Sequence, residues 1–315
     1  MKFTSVPLAS ISMAALLAAC LLVPSAVADE NTWKDKFEFH GFLTQAYATA
    51  DFSGPVPTPA EIILGIPEDG TTSYRFLALQ FRYQISSKDL VVVQLSSRSL
   101  GNSPIGDIED EIELDWAFYE RRLADDTALK VGRIQIPLGI FNETRDVGTV
   151  LPFYRPPFSF YREGSFTSET VDGLLLHHTF LSATDFPIDV DAYYGEFELI
   201  EQAVLVPDDP PSIAKAEDVH GIQLWFNTPW LDGVRFGAGA QRRDITGGQE
   251  GIFRPVGGTT QFDDWYLSLE VPASRFIFRA EYRENSAFLD SPFFFLEADN
   301  ANILLYLPAG VYITE

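Results

Sequence analysis

The chain has few cysteines and few positively charged residues, and each shortage excludes a class of protein. Its single cysteine, Cys20, excludes a disulfide framework. Its 22 Lys and Arg residues stand against 45 Asp and Glu residues, and the resulting net charge of −23 excludes a nucleic-acid partner, which requires a basic face to neutralise phosphates. Hydrophobic residues make up 46% of the chain, which is too many for a disordered acidic protein.

Long hydrophobic runs are also scarce beyond the N-terminus. No later segment approaches the roughly 20 apolar residues that a membrane-spanning helix needs. The longest one, residues 303–313, is interrupted by Pro308 and Gly310. Because only helices and closed barrels satisfy every backbone group in hydrocarbon, this chain can enter a membrane only as a β-barrel.

The N-terminus has the organisation of a secretion signal. Lys2 is followed by the apolar run from Leu8 to Val23, and small residues end it at Ala26-Val27-Ala28. We therefore predict a signal peptide over residues 1–28, cleaved before Asp29, and a single exported domain over residues 29–315. Cleavage removes Lys2, the only charge in the leader, and changes the net charge from −23 to −24.

A lipoprotein signal is the alternative interpretation of the same leader. Leu17-Ala18-Ala19-Cys20 resembles a lipoprotein processing box, in which Cys20 would be acylated. Acylation would leave the apolar stretch from Leu21 to Val27 at the mature N-terminus, where a polar tether is expected. Simple cleavage before Asp29 is the favoured alternative.

The rest of the chain alternates apolar and polar residues with a period of two. Such segments predict about eleven β-strands, with a doubtful twelfth over residues 303–313. In the fourth segment, Ile112, Leu114, Trp116 and Phe118 are predicted to share one face, and Glu113, Asp115, Ala117, Tyr119 and Arg121 the other. The polar partners are long and charged along most of the predicted strands, which suits a wet interior.

Two features favour a membrane barrel over a soluble β-sandwich. Aromatic residues lie near strand ends, as interfacial girdles require: Phe37, Tyr47, Tyr83, Phe118, Tyr194, Trp225, Trp265 and Tyr282. Short links also alternate with long ones along the chain, which is the layout of barrels with short turns at one rim and long loops at the other. The predicted fold class is all-β, an antiparallel transmembrane β-barrel with about 12 visible strands.

A family resemblance rests on two stretches. The segment Leu129-Lys130-Val131-Gly132-Arg133-Ile134-Gln135-Ile136-Pro137-Leu138-Gly139, continued by Ile140-Phe141-Asn142-Glu143-Thr144-Arg145-Asp146, resembles bacterial outer-membrane porins related to the phosphate-selective porin O/P family. The stretch from Phe39 to Tyr47 resembles the first strand of such porins. The resemblance implies a trimeric barrel, often of sixteen strands, whose pore is narrowed by a long loop folded inward.

Two properties of the chain depart from that family. About twelve strands fall short of sixteen, so either C-terminal sequence is missing or the final segment lies outside the barrel as usually built. Phosphate-selective members are expected to line their pores with Lys and Arg, whereas this chain carries a net charge of −23. Anion selectivity is therefore left open, because an acidic rim can coexist with arginines inside the pore.

The long loop at residues 139–168 is the main candidate site. Its length of about thirty residues is typical of functional loops. We predict that it constricts the pore, and that its charged residues set a transverse field there: Arg145, Asp146, Arg155, Arg162 and Glu163. An external loop packed on a neighbouring subunit is the alternative.

Charged residues predicted to face inward form a second group. We expect the following residues to line the pore: Arg75, Arg82, Arg98, Glu113, Asp115, Arg121, Arg133, Arg279 and Arg283. A charge facing lipid at mid-membrane would cost about 2 to 4 kcal/mol for Arg or Lys, which favours the inward assignment. Simple cross-strand pairing that keeps the wall wet is the alternative role for most of them.

No chemical motif accompanies these residues. His40, His177, His178 and His220 lack the spacing of a metal site, and no G-x-S-x-G or dinucleotide fingerprint is present. We predict no enzyme activity, no metal and no cofactor.

The predicted function is that of a passive diffusion porin in the outer membrane of a Gram-negative bacterium. Its predicted partners are outer-membrane lipid, small hydrophilic solutes or ions, and two further copies of the chain in a homotrimer. A secreted or periplasmic all-β ligand-binding protein is the first alternative, and an outer-membrane barrel with an enzymatic or adhesive role is the second.

Overall fold

In the part of the chain that the structure describes, thirteen antiparallel strands form one sheet in chain order. The computed structural model describes residues 34–50, 65–103, 112–145, 147, 151, 156–161, 169–200, 213–229, 231, 233–246, 259–290, 295–306 and 312–314. The strands are β1 (Phe37–Ala48), β2 (Thr71–Gln84), β3 (Asp89–Leu100), β4 (Glu113–Ala124), β5 (Thr127–Gln135), β6 (Thr170–Phe180), β7 (Ile188–Ile200), β8 (Ile213–Asn227), β9 (Arg235–Thr246), β10 (Thr259–Ala273), β11 (Phe276–Asp290), β12 (Phe295–Tyr306) and β13 (Tyr312–Thr314).

The all-β prediction is confirmed, and the predicted strands correspond to β1 through β11. The doubtful strand at residues 303–313 is wrong in its bounds, because β12 already begins at Phe295 and the short β13 begins at Tyr312. Residues 307–311 lie outside the described part of the chain. Within the described residues, no ladder joins β1 to β13, so the sheet is not closed there.

The outward face of this sheet is apolar and exposed to solvent. Leu43 has 73% of its surface exposed, and Leu267 has 48%. Residues of the same kind and exposure lie on the other strands: Phe39, Leu77, Leu79, Val131, Leu174, Leu176, Ile222, Leu224, Phe236 and Phe278. A water-soluble protein would bury such side chains, so this face has the character of a surface that meets hydrocarbon.

The opposite, inward face buries polar and charged side chains. Buried examples lie on six different strands: Gln94, Asp115, Gln223, Gln241, Arg243, Asp264, Glu281 and Arg283. Buried charges persist only where they are paired and hydrogen-bonded, and this face provides such partners across neighbouring strands. The two faces therefore exchange the roles that they have in a soluble β-protein.

A β-bulge changes the predicted faces of β4. The register between β3 and β4 shifts between Gln94 and Leu95, so that Gln94 lies opposite Trp116 and Leu95 lies opposite Leu114. The extra residue, Asp115, also points inward, where it accepts hydrogen bonds from Gln94 and Ser96. The prediction that Trp116 and Phe118 share a face with Leu114 is therefore wrong: both are buried on the inward side.

Connection lengths confirm the alternation of short and long links. From β1 to β11, connections of two to seven residues follow the strand ends at one rim, the short-turn rim, and alternate with connections of 12 to 34 residues after the strand ends at the other, the long-loop rim. Of the aromatic residues predicted to form girdles, Phe118 and Trp225 instead lie on the inward face, opposite Val92 and Gly237. No helix in the described ranges is long and apolar enough to cross a membrane.

A row of ionisable side chains crosses the outward face at the long-loop ends of β5 to β10. We call it the outer ionic row: Arg133, Asp172, Glu196, Lys215, Arg242 and Asp263. Neighbouring members pair, with 2.9 Å between Arg133 Nε and Asp172 Oδ1 and 2.8 Å between Lys215 Nζ and Glu196 Oε2. On β5, β6 and β10 the next outward position toward the short-turn rim is apolar and exposed, at Val131, Leu174 and Trp265, so the row marks an edge of the apolar band there.

Candidate functional site

The connection between β5 and β6, residues 136–169, contacts the inward face of the sheet through its described residues, which are 136–145, 147, 151, 156–161 and 169. We call it the inward loop. Its two ends are held together because Ile136 N donates to Glu169 O at 2.9 Å. Asn142 Nδ2 donates to Ile136 O at 2.7 Å and to Glu169 O at 3.0 Å, which closes the base of the loop from inside.

Glu281 of β11 binds the middle part of the inward loop. Ile140 N donates to Glu281 Oε1 of β11 at 2.7 Å, and the Tyr161 hydroxyl donates to Glu281 Oε2 at 2.8 Å. Phe141 N donates to the same Tyr161 hydroxyl at 2.8 Å. Burial, together with the Glu281 carboxylate beside it, raises the pKa of Tyr161. The hydroxyl therefore stays protonated and can donate to Glu281.

Two further strands bind the backbone of the inward loop. Tyr266 of β10 donates its hydroxyl to Pro137 O at 2.8 Å, and Gln223 Nε2 of β8 donates to Gly139 O at 3.2 Å. Gly139 has a φ of +63°, and an added Cβ would collide with the Glu281 carboxylate, so this bend requires glycine. The loop thus runs from β5 across to β8, β10 and β11.

Apolar packing fills the space between the inward loop and the wall. The buried cluster includes Leu138, Phe141, Phe160 and Tyr161 from the loop. Wall residues of the cluster are Trp116, Phe118, Ile134, Val171, Leu175, Tyr193, Val219, Ile245 and Tyr266. Phe160 and Tyr266 pack edge to face with ring centroids 6.3 Å apart. This core fixes the loop against one side of the wall.

A buried group of charges lies beneath the loop, and we call it the arginine clamp. Asp264 of β10 lies between Arg243 of β9 and Arg283 of β11 and is hydrogen-bonded to both. Arg283 is 0% exposed and Arg243 is 2% exposed. Asn285 Nδ2 donates to Asp264 Oδ1 at 2.6 Å, and Arg283 Nη1 donates to Phe160 O of the inward loop. The clamp therefore binds the loop through a fully desolvated ion-pair network.

A second group of the same design lies nearer the short-turn rim, and we call it the open arginine pair. Glu270 of β10 accepts a hydrogen bond from Arg235 Nε of β9 at 3.2 Å and one from Arg279 Nε of β11 at 2.5 Å. The Arg235 side chain is 36% exposed and that of Arg279 is 23% exposed. Arg279 lies over the Phe141 ring of the inward loop, 5.3 Å from its centroid, so this pair borders the loop.

Glu143 is the acidic residue that the inward loop presents beside this pair. Its side chain is exposed at the surface of the loop, with protein atoms nearby that displace part of the surrounding water. The resulting desolvation raises the pKa of the Glu143 carboxyl, and the nearby Lys130 opposes the rise. Asp191, His177 and Arg235 also interact electrostatically with Glu143. Charges of both signs therefore face one another across the space below the loop.

Among the residues predicted to form the constriction, Arg145 is described. It is buried at the base of the inward loop, where Nη1 donates to Asn142 Oδ1 at 3.1 Å and Nη2 lies 3.2 Å from Glu169 Oε1. It stabilises the loop base and does not line a passage. Asp146, Arg155, Arg162 and Glu163 lie outside the described residues.

Six of the predicted pore-lining residues lie on the inward face: Arg82, Arg98, Glu113, Asp115, Arg279 and Arg283. Arg98 bridges two acids, with 3.2 Å from Nη2 to Asp115 Oδ1 and 3.4 Å from Nη1 to Glu169 Oε1. Because Glu169 also contacts Arg145, this chain of charges ties the loop base to β3 and β4.

For three residues the predicted inward orientation is wrong, because their side chains lie on the outward face. Arg75 lies two positions from the exposed Leu77, and Arg133 lies two positions from the exposed Val131, so strand geometry gives each pair a common face. Arg121 follows the bulge in β4 and lies opposite Asp89, outside the wall. All three are within a few residues of a strand end, where a charge facing lipid costs only about 0–1 kcal/mol.

Several site residues were not predicted: Glu143, Gln223, Arg235, Tyr266 and Glu270. For the four residues on strands, the sequence did indicate an inward side chain. Each alternates with apolar residues that were assigned to the opposite face, as Gln223 does between Ile222 and Leu224. The sequence gives no signal for which of these inward residues contacts the loop, because their partners lie more than 80 residues away.

Comparison with known proteins supports the architecture. OmpF of Salmonella typhi, in complex with daunomycin, is similar over 88% of this chain and 82% of its own, with 12% sequence identity and a TM-score of 0.50. OmpT of Vibrio cholerae, an outer membrane protein solved in a trimer form, is similar over 86% of this chain and 82% of its own, with 9% identity and a TM-score of 0.42.

No family model matches the chain, and no curated protein matches it. The resemblance to the phosphate-selective porin O/P family therefore stays a prediction. The likeness to OmpF establishes the fold: the chain has a porin-like outer-membrane β-barrel fold.

Proposed function

We propose that the protein is a passive diffusion channel of a Gram-negative outer membrane, through which small hydrophilic solutes or ions cross a water-filled barrel. The observation that carries this proposal is the inward loop, which is anchored to β8, β10 and β11 across the polar face of the sheet. A loop held there narrows the interior and leaves it lined by charges, as a selective pore requires. The proposal assigns no chemistry on the solute.

The outward face supports the membrane location. Exposed Leu, Phe and Val side chains cover it, whereas buried ion pairs occupy the inward face. The alternative, a secreted or periplasmic binding protein, would have to keep this apolar surface in water, at a cost of about 25 cal/mol per Å² of apolar area. A trimer follows from the family resemblance alone, and light scattering of the detergent-solubilised protein would test it.

The passage that we propose runs beside the free edge of the inward loop, past Glu143 on the loop and the open arginine pair on the wall. Glu143 supplies a carboxyl group on one side, while Arg235 and Arg279 share one carboxylate and carry an excess positive charge on the other. Opposed charges of this kind set a field across the passage and orient polar solutes.

Planar-bilayer recording of the detergent-purified protein tests the proposal. We expect stepwise conductance, and a reversal potential in a salt gradient that moves toward anion selectivity in Glu143→Gln and toward cation selectivity in Arg235→Gln. A control variant, Arg121→Gln, changes an outward charge and should leave the reversal potential unchanged. Protein that stays monodisperse without detergent and gives no conductance would overturn the channel and favour the binding-protein alternative.

A further inference from the structure

We propose that the open arginine pair is a binding subsite for the carboxylate group of small organic monoanions. This inference rests on the proposed channel function and names a class of solute for it. The subsite consists of Arg235 and Arg279, their shared partner Glu270, and the aromatic rings of Trp225 and Phe141 that support the two guanidinium groups.

The hydrogen bonds to Glu270 leave the outer edges of both guanidinium groups available. Each arginine donates to Glu270 through Nε, and within the described residues neither makes a further hydrogen bond. A guanidinium has five N–H donors, so about four remain on the Nη atoms of each arginine. A planar carboxylate is the group that such a fork binds with two parallel hydrogen bonds.

Aromatic contacts hold the two forks in place. The Arg235 guanidinium lies 4.4 Å from the centroid of the Trp225 ring, and the Arg279 guanidinium lies 5.3 Å from that of Phe141. Each arginine is thus fixed by one carboxylate oxygen and one ring face, which lowers the entropy that a solute must remove on binding. Partial exposure of both side chains keeps the forks accessible from the interior.

The charge balance selects a monoanion. Two arginines and one glutamate leave one net positive charge, which a single carboxylate neutralises. Further acids lie on the neighbouring wall, where Asp189 is opposite Trp225 and Asp191 is opposite Gln223, and Glu143 interacts with Arg235. A phosphate dianion would place a second negative charge among these acids, and like charges in such a site disfavour binding. The subsite should therefore prefer a monocarboxylate to phosphate.

Benzoate is a suitable probe, because it combines one carboxylate with an apolar ring that can contact Phe141 or Trp225. In bilayer recordings at constant ionic strength and pH 7, increasing benzoate should reduce the chloride current of the wild-type channel in a saturable way. We expect Arg235→Gln and Arg279→Gln each to weaken this block about tenfold, the effect of losing one charge-assisted pair of hydrogen bonds. Phosphate should block the wild-type channel less than benzoate does.

Arg82→Gln is the matched control, since Arg82 faces inward on β2, near the same short-turn rim but on the opposite part of the wall. It should leave the benzoate block within about twofold of the wild type, because general attraction of anions falls off with distance in salt. Equal weakening by Arg82→Gln and Arg279→Gln, or stronger block by phosphate than by benzoate, would overturn the subsite. Normal conductance with no saturable block would reject the subsite and keep the channel, whereas absence of conductance would reject both.

Discussion

The arginine clamp and the open arginine pair have one design in two environments. In each, an acid on β10 bridges an arginine on β9 and an arginine on β11. In the clamp, Arg283 and Asp264 are fully desolvated and bind the inward loop through Phe160 O. In the open pair, both arginines are partly exposed and border the inward loop.

Burial decides what the same ion triad does. A charge removed from water is held by the partners that surround it, and in the clamp Arg283 donates to Asp264 and to Phe160 O of the loop. A partly exposed arginine keeps water on some of its donors, and a solute can replace that water at little cost. One strand, β10, thus carries a buried structural acid, Asp264, and six residues later Glu270, the acid of the subsite that we propose.

The largest effect expected is from breaking the clamp. Asp264→Ala leaves two buried arginines without their carboxylate, and loss of one partner of a buried pair costs about 3–5 kcal/mol. We expect this loss in the free energy of unfolding, measured by urea titration of the protein in lipid vesicles. Glu270→Ala is the matched control in the open pair and should cost about 1 kcal/mol or less, since water can solvate the freed arginines. Equal losses would show that burial does not separate the two groups.

Leu267 lies between Asp264 and Glu270 in the sequence of β10, but its side chain is on the outward face. Leu267 points outward, so Leu267→Lys should cost about 2–4 kcal/mol of stability in a bilayer if the residue meets hydrocarbon. Gln80→Lys, on the inward face of β2, should cost far less. Unfolding in vesicles measures both. A cost near zero for Leu267→Lys would place this face in water and contradict the membrane orientation.

The anchoring of the inward loop can be weakened without removing a charge. Tyr161→Phe deletes one hydroxyl that serves Ile140 N, Phe141 N and Glu281, and leaving such buried groups unsatisfied costs about 1–3 kcal/mol. We expect a higher single-channel conductance with more current noise, because the loop leaves the wall more often. Tyr282→Phe, which removes an outward hydroxyl, is the control. Unchanged noise in Tyr161→Phe would show that the apolar core alone holds the loop.

The smallest effect expected is a pH dependence of selectivity. Because desolvation raises the pKa of Glu143, this carboxyl loses its charge at a higher pH than an ordinary glutamate does. As the pH falls toward that pKa, the wild-type channel should become about twofold more anion-selective, while Glu143→Gln should not change over the same range. Reversal potentials measured from pH 8 to pH 5 test this. An equal pH response in the variant would assign the titration to another group.

The period-two alternation predicted the strands and most of the inward face, because a strand needs only local order to place its side chains. It failed where one residue is inserted, since the bulge near Asp115 reversed the faces of Trp116 and Phe118. The length of the loop and the family resemblance predicted that it folds inward. Its anchors were beyond reach, because Ile140 and Glu281 are 141 positions apart and no local pattern joins them.

The outer ionic row has a consequence for how deep the protein sits. If the apolar band occupies the hydrocarbon layer, the paired charges from Arg133 to Asp263 lie level with the lipid headgroups. A shift of the barrel along the membrane normal by one residue pair, about 7 Å along a strand, would move all six ionisable groups into the hydrocarbon layer together. The row therefore sets the depth of the barrel in the bilayer. It thereby also sets the level at which the inward loop lies relative to the membrane surface.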